Sequence, residues 1–384
     1  MYVRLLRPLR LRPLYSALVS VALFFVSFAP FVAMYSLRWI ERGRAFDLFV
    51  EICFVVMVFT VYLFLYILTR DIAYYLWRIL RGFKRLFINN KSPKESPQAE
   101  SAVTRREFLF NVSSLTMLGA AAITTPVSFY HAKHNWVLRR ETLFIPTLPK
   151  HLDGFKIAHL SDIHASSTIT RKYVDAIVQD CNKLNPDMVA LTGDLADGFP
   201  EVIGPELEPL TKLKSKYGAY YCCGNHENMW DGEGWRKVVE SYGVHVFRNE
   251  HVILQNVAGG ALAIAGVIDH RGDRKYKIKS SPEQALKSVP KDIYTIMLVH
   301  QPKSVNPSIE NGADLVLVGH THGGQVFPLT LLMPYIHEYN HGVYKRDQSY
   351  INVSCGTGYW GPPMRLGMSA EIVEITLRRA SEHA

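Results

Sequence analysis

Five short clusters in the second half of the chain carry the side chains best suited to chemistry. They are Asp162-x-His164, Gly193-Asp194, Gly224-Asn225-His226-Glu227, His300 and Gly319-His320-x-His322. Together they offer Asp162, His164, Asp194, Asn225, His300, His320 and His322 as seven oxygen and imidazole donors, with His226 as one further imidazole. Carboxylate, amide and imidazole without thiolate favour borderline or hard divalent ions such as Mn2+, Fe2+ or Zn2+. One Asp-x-His or His-x-His alone is commonplace on a surface or in a core. Five such elements, each closing an apolar run, read as a built metal site. The glycines before Asp194, Asn225 and His320 suit tight turns or a close approach of backbone.

The elements that must hold these groups are short and rich in β-branched residues. FKIAHLSD, DMVALTGD, AYYCCGNHE, IYTIMLVHQP and DLVLVGHTH each read as a buried strand that stops at a polar cluster. Between them, residues 171–184, 206–216 and 235–241 have helical periodicity. Alternating strands and helices predict an α/β fold, in which ligands gather at the carboxyl ends of strands.

The order DxH, GD, GNHE, LxHxP and GHTHGGQ resembles the calcineurin-like metallophosphoesterase superfamily, and its last element is similar to the YkuE/YaeI-type bacterial branch. The resemblance covers about residues 152–377, including Ala265-Gly266-Val267-x-Asp269 and the Gly-Pro-Pro turn before Arg365. It departs from the family at Ala370-Glu371, where a Pro-Glu pair is usual. The resemblance implies a four-layer α-β-β-α sandwich and two divalent metal ions. Asp162, His164 and His322 would hold one ion, Asn225, His300 and His320 the other, and Asp194 would bridge them. His226 would protonate the leaving oxygen, Glu227 would orient its ring, and Arg365 would bind substrate. The basic run 270–279 reads either as a phosphate-binding loop or as a solvated one, and His337 and His341 read as lying outside the ligand set.

The N-terminal third differs in character. Residues 14–37 and 108–130 carry no charge, and 48–69 carries one, Glu51, so each can cross a hydrocarbon core of roughly 30 Å as a helix. These transmembrane helices would form a membrane region over 1–130, ahead of a metallophosphoesterase domain over 131–384. Residues 70–106 hold a basic segment, WRILRGFKRLF, read either as an interfacial helix or as a solvated one, and then a Pro- and Ser-rich linker. Arg105-Arg106 before Phe108-Leu109 fits a twin-arginine export signal or the inner edge of a third span. Residues 1–150 carry 20 Lys and Arg against 8 Asp and Glu, whereas residues 151–384 carry 23 against 26. That surplus lies beside apolar segments, which points to membrane topology and away from nucleic acid. It predicts a multi-pass protein of a bacterial inner membrane with its catalytic domain on the periplasmic side. The five cysteines show no metal or disulfide spacing, and the sequence sets no oligomeric state.

The favoured reading is an enzyme hydrolysing phosphodiester or pyrophosphate bonds in a phosphorylated small-molecule or lipid substrate of the envelope. Two alternatives are a UDP-2,3-diacylglucosamine pyrophosphatase of lipid A synthesis, whose substrate is cytoplasmic, and a membrane scaffold with a dead phosphoesterase domain. Retention of all eight site positions argues against the scaffold.

Overall fold

Strands that are apolar on both faces need cover on both sides. The computed structural model describes residues 12–36, 43–87, 105–272 and 277–380, and in it the five motif runs are strands covered in this way. The first sheet has the order β1 (Trp136–Ile145), β12 (Ala370–Arg379), β2 (Lys156–Leu160), β3 (Met188–Thr192), β4 (Ala219–Cys222), β5 (His245–Phe247). The second has the order β10 (Gly342–Arg346), β11 (Ser349–Val353), β9 (Leu315–Val318), β8 (Thr295–Val299), β7 (Gly260–Gly266), β6 (Glu250–Val257). β2 to β5 run parallel, as do β7, β8, β9 and β11.

The period of two along each strand sorts side chains between layers. Met188 and Ala190 of β3, Ile296 and Leu298 of β8, and Leu315 and Leu317 of β9 fill the space between the sheets. Val189 and Leu191 point the other way, under α4 (Arg171–Lys183), α5 (Pro200–Leu207) and α7 (Gly232–Ser241). Met297, Val299, Val316 and Val318 lie under α8 (Pro282–Leu286) and α9 (Val305–Glu310). This is the expected four-layer α-β-β-α arrangement.

One helix departs from expectation. Instead of a helix over 206–216, α5 begins at Pro200 and gives way to a 3-10 turn at Glu208–Lys212. Pro200 sits at the first helical position, where its missing N–H costs nothing, and Pro209 lacks the N–H that would continue the α pattern.

The chain divides into two compact units, Met1–Val32 with Phe49–Val127, and Ala33–Leu48 with Ser128–Ala384. The N-terminal helices are α1 (Pro13–Ser36), α2 (Arg44–Phe87) and α3 (Arg105–His134). The basic segment does not form a separate helix: α2 runs unbroken through it for 44 residues. No Pro interrupts that stretch, and its Gly82 alone weakens a helix too little to end it. Among the described residues, α2 over Ala45–Lys84 and α3 over Asn111–His134 are long and apolar enough to cross a membrane. Hydroxyls of Thr60, Thr116, Thr124 and Thr125 each donate to the carbonyl four residues back, at 2.8–2.9 Å. Such internal satisfaction is what a polar group needs in hydrocarbon. The linker and three of the four tail arginines of the topology reading, Arg4, Arg7 and Arg10, lie outside the described residues.

Candidate metal centre

All the sequence-selected clusters sit at carboxyl ends of central strands. Asp162 and His164 follow β2, Asp194 follows β3, and Asn225 and His226 open α6 (Asn225–Trp230) just after β4. His300 follows β8, and His320 and His322 follow β9. The backbone there is unusual: Asp162, His164, Asp194, His320 and His322 all have φ between 49° and 73°. Non-glycine residues in this left-handed region cost about 1–2 kcal/mol each and collect at functional sites. Two glycines are required by close approach. A Cβ on Gly224 would lie 2.1 Å from Asp194 Oδ1, and one on Gly319 would lie 2.0 Å from Ser161 Oγ and 2.4 Å from Asp162 Oδ2.

The side chains converge in two groups, Asp162–His164–His322 and Asp194–His300–His320, each with its ligand atoms within 4.8 Å of one another. Asp194 lies between them, its Oδ2 being 3.0 Å from His300 Nε2, 3.8 Å from His226 Nε2 and 3.9 Å from His164 Nε2. Asn225 Oδ1 stands 3.2 Å from His300 Nε2.

These residues fit divalent ions. His164 Nε2 and His322 Nε2 are 3.1 Å apart, and His300 Nε2 and His320 Nδ1 are 3.2 Å apart. Nitrogens so close repel unless a proton or cation lies between them, and ligands each about 2.0–2.1 Å from one ion have roughly this spacing. Two rings are also set in the ligating tautomer. His300 Nδ1–H donates to Thr192 O at 2.8 Å and His164 Nδ1–H to Asp197 Oδ2 at 3.1 Å, which leaves both Nε2 lone pairs facing inward.

Electrostatics agree. Burial pushes the Asp162 carboxyl up, and the Asp194 carboxylate adds to that. Burial also raises Asp194, but His300 and His226 outweigh it and hold the group well below the usual carboxylate range. His226 is lowered by burial and raised more by Asp194 and Asp197, to about 10. His320 is pushed down to about 3 by burial and by His300. A buried set of carboxylates like this demands cations.

Two assignments change, and one residue joins the site. Glu227 does not orient His226. It is fully buried and accepts the backbone N–H groups of Gly224 (2.8 Å), Asp194 (3.1 Å), Leu195 (2.5 Å) and Ala196 (3.2 Å). The orienting group is Asp197, whose Oδ1 accepts from His226 Nδ1 while its Oδ2 serves His164. Sequence reading passed over Asp197, although it stands only three residues after Asp194, in the loop that follows β3. Arg365 is 1% exposed and so is not placed to bind substrate. Its guanidinium donates to the carbonyls of Gly358 (2.6 Å), Cys355 (2.8 Å) and Ser369 (3.2 Å) and touches His322 Nδ1 at 3.1 Å.

His337 stacks edge-on to His320 at 6.0 Å between centroids, and His341 faces Glu371 at 3.3 Å. Asp269 accepts from Gln301 Nε2 at 2.7 Å, behind Asn225. Residues 273–276 of the basic loop lie outside the described residues.

The calcineurin-like phosphoesterase family signature matches residues 155–324. A transmembrane protein with a metallophosphoesterase domain from Danio rerio is 33% identical over 293 residues, covering 74% of this chain and 66% of that protein. The chain thus spans just under two thirds of that relative. An uncharacterized metallophosphoesterase from Aquifex aeolicus is 32% identical over 254 residues, covering 65% of this chain and 95% of the relative. The uncharacterized metallophosphoesterase YkuE of Bacillus subtilis is 28% identical over 289 residues, covering 72% of this chain and 98% of the relative. Donor set, strand-end geometry and these matches agree: the chain belongs to the calcineurin-like phosphoesterase family of metal-dependent phosphoric ester hydrolases.

Proposed function

We propose that this chain is a membrane-tethered hydrolase of phosphodiester or pyrophosphate bonds in lipid-linked or envelope substrates. The observation that carries the reading is the convergence of seven donors from two sheets on one spot, with His226 at its open side, 13% exposed. Asp162, His164 and His322 would hold one divalent ion, and Asn225, His300 and His320 the other, with Asp194 between them. Such ions supply Lewis acidity to a phosphoryl oxygen and an acidified water. The protein groups do the rest. Asp197 fixes the His226 ring through Nδ1, so that Nε2–H points into the site and delivers its proton to the departing oxygen. Glu227 ties the loops after β3 and β4 together and so sets the position of Asp194. Membrane tethering is supported by α3, whose last turns belong to the catalytic unit: Ala132 lies in its core and Lys133 Nζ donates to Thr168 O at 2.9 Å.

The test is purification of the full chain in detergent, elemental analysis, and assay of methyl p-nitrophenyl phosphate with and without chelator. About two divalent ions per chain and chelator-sensitive hydrolysis are expected. No bound metal together with no metal-dependent hydrolysis overturns the reading.

A further inference from the structure

Between the His322 turn and His337 the chain makes a helix with no fully buried side chain. α10 (Leu329–Ile336) reads LTLLMPYI, carries no charge, and has no buried residue. Leu329, Leu331, Leu332, Tyr335 and Ile336 are 49–88% exposed, and Phe327 just before them is 52% exposed. Single exposed apolar residues need no explanation, but a contiguous group on one short helix marks an interaction surface.

Both ends of this helix abut the metal centre. A Cβ on Gly324 would lie 2.8 Å from Met333 Cγ and from the Leu329 carbonyl carbon, so α10 rests directly on the His322–Gly324 turn. At its other end stands His337, facing the His320 ring. Eight residues span about 12 Å, so an amphiphile lying along α10 has its polar end near the metal ligands.

The loop 355–367 then joins α10 to the end of α3. The N–H of Phe327 donates to Leu366 O at 2.8 Å, and that of Leu366 to Gln325 O at 3.1 Å. One residue away, Arg365 N–H donates at 3.1 Å to the carbonyl of Ser128, in the last turns of α3. The same loop carries Trp360, which is 54% exposed, exchanges two hydrogen bonds with Gln325, and stands 6.3 Å from the His226 ring. The exposed apolar helix is therefore continuous with the place where an apolar membrane-length helix joins the domain. Tryptophan and charge-free apolar side chains beside such an anchor match the boundary between headgroups and acyl chains.

We infer that α10, with Phe327 and Trp360, rests in the surface of the lipid bilayer, so that the substrate is an amphiphile presented to the metal centre from the membrane plane. This rests on the phosphoesterase reading above and narrows its substrates to amphiphiles held in the bilayer.

The experiment uses the full chain reconstituted in phosphatidylcholine–phosphatidylglycerol vesicles. An environment-sensitive fluorophore is attached at Leu332→Cys, with Cys223→Ser removing the one native thiol that is not buried. Quenching by shallow spin-labelled lipid and protection from aqueous iodide are expected. Iodide quenching without lipid quenching overturns the inference, as does protection that vanishes when the protein is diluted in lipid, since a second copy would then be the occupant. A parallel measurement uses two diesters with the same leaving group. For Leu331→Glu/Leu332→Glu, hydrolysis of hexadecyl p-nitrophenyl phosphate in vesicles should fall roughly tenfold or more while that of soluble methyl p-nitrophenyl phosphate stays within about twofold. Equal rates on both diesters, relative to the parent, count against bilayer docking. If both rates collapse, the fluorophore experiment decides. Absence of hydrolysis by the parent, with lipid quenching intact, removes the phosphoesterase reading and leaves the membrane contact standing.

Discussion

Asp197 holds His226 and His164 at once, accepting from Nδ1 of His226 through one oxygen and from Nδ1 of His164, at 3.1 Å, through the other. One carboxylate thereby aims both the proposed proton donor and a proposed metal ligand. Burial alone would raise Asp197, but the two imidazoles more than offset it and keep the carboxylate ionised. Asp197→Asn keeps the shape and loses the charge. Hydrolysis of substrates with poor leaving groups should fall roughly 10²-fold, within the 10²–10⁴-fold range of general acid catalysis. p-Nitrophenyl esters should lose far less, provided metal is supplied in excess to offset a weakening of about 10–100-fold. An equal loss for both leaving groups removes the pair from proton transfer.

Glu227 should behave differently although it adjoins His226. Its two oxygens take four backbone N–H groups. Glu227→Gln turns one acceptor into a donor and orphans at least one N–H, at about 1–3 kcal/mol each. Lower thermal stability and weaker metal retention are expected, with the same fractional loss on good and poor leaving groups. A loss confined to poor leaving groups would return Glu227 to a role in orienting His226.

The strand-end clusters are legible in sequence because covered strands are continuous apolar runs, so a polar group at the end of one stands out. Asp162, His164, Asp194, Asn225, His300, His320 and His322 are all of this kind. Asp197 is not, since its partner His226 is 29 residues away and only the pairing of β3 with β4 brings the two loops together. Adjacency misleads for Glu227. Successive side chains at a helix start point in different directions, so His226 faces the site while Glu227 turns beneath it. The resemblance gives Arg365 to the substrate, and nothing local to its Gly-Pro-Pro turn reveals that the 355–369 loop closes over it.

That burial makes a prediction at Arg365. Lysine there puts its three N–H groups on one nitrogen and cannot reproduce the planar fork whose Nη1 and Nη2 reach the carbonyls of Ser369, Gly358 and Cys355. Arg365→Lys should cost about 1–3 kcal/mol for each carbonyl left unpaired, seen as a lower melting temperature with KM nearly unchanged. A raised KM at unaltered melting temperature would restore substrate binding.

His159 sets a pH dependence away from the metal ligands. It is fully buried between Thr192 Oγ1 (2.8 Å) and Asn352 Nδ2 (2.9 Å). Burial, and then the nearby Arg139, lower it to about 3. Below pH 6.5 the unfolded chain binds a proton that the folded chain refuses, so stability contributed by this residue is complete above 6.5 and declines as pH falls toward about 3. Between pH 7 and 5 the loss should be on the order of 2 kcal/mol. Denaturant titrations at both pH values, compared with those of His159→Asn, check it. An unchanged slope in the variant shows that other groups carry the effect.

The side of the membrane is the remaining expectation with a direct readout. Four arginines precede the first apolar stretch and nine basic residues lie in 70–106, against Arg38, Arg42 and Arg44 in the loop between. By that bias the N-terminus and 70–106 would lie inside, and a crossing by α3, which opens on Arg105-Arg106, would send the catalytic domain out. A phosphatase reporter fused after Ala384 should be active there, and an ordinary fluorescent protein dark. Changing both arginines to glutamine should reduce export or scramble orientation, because either as an export signal or as a positive anchor they set the direction of α3. A reporter that reads cytoplasmic leaves the metal chemistry intact but moves the substrate to the inner leaflet, where a pyrophosphatase acting on a lipid A precursor becomes the better reading.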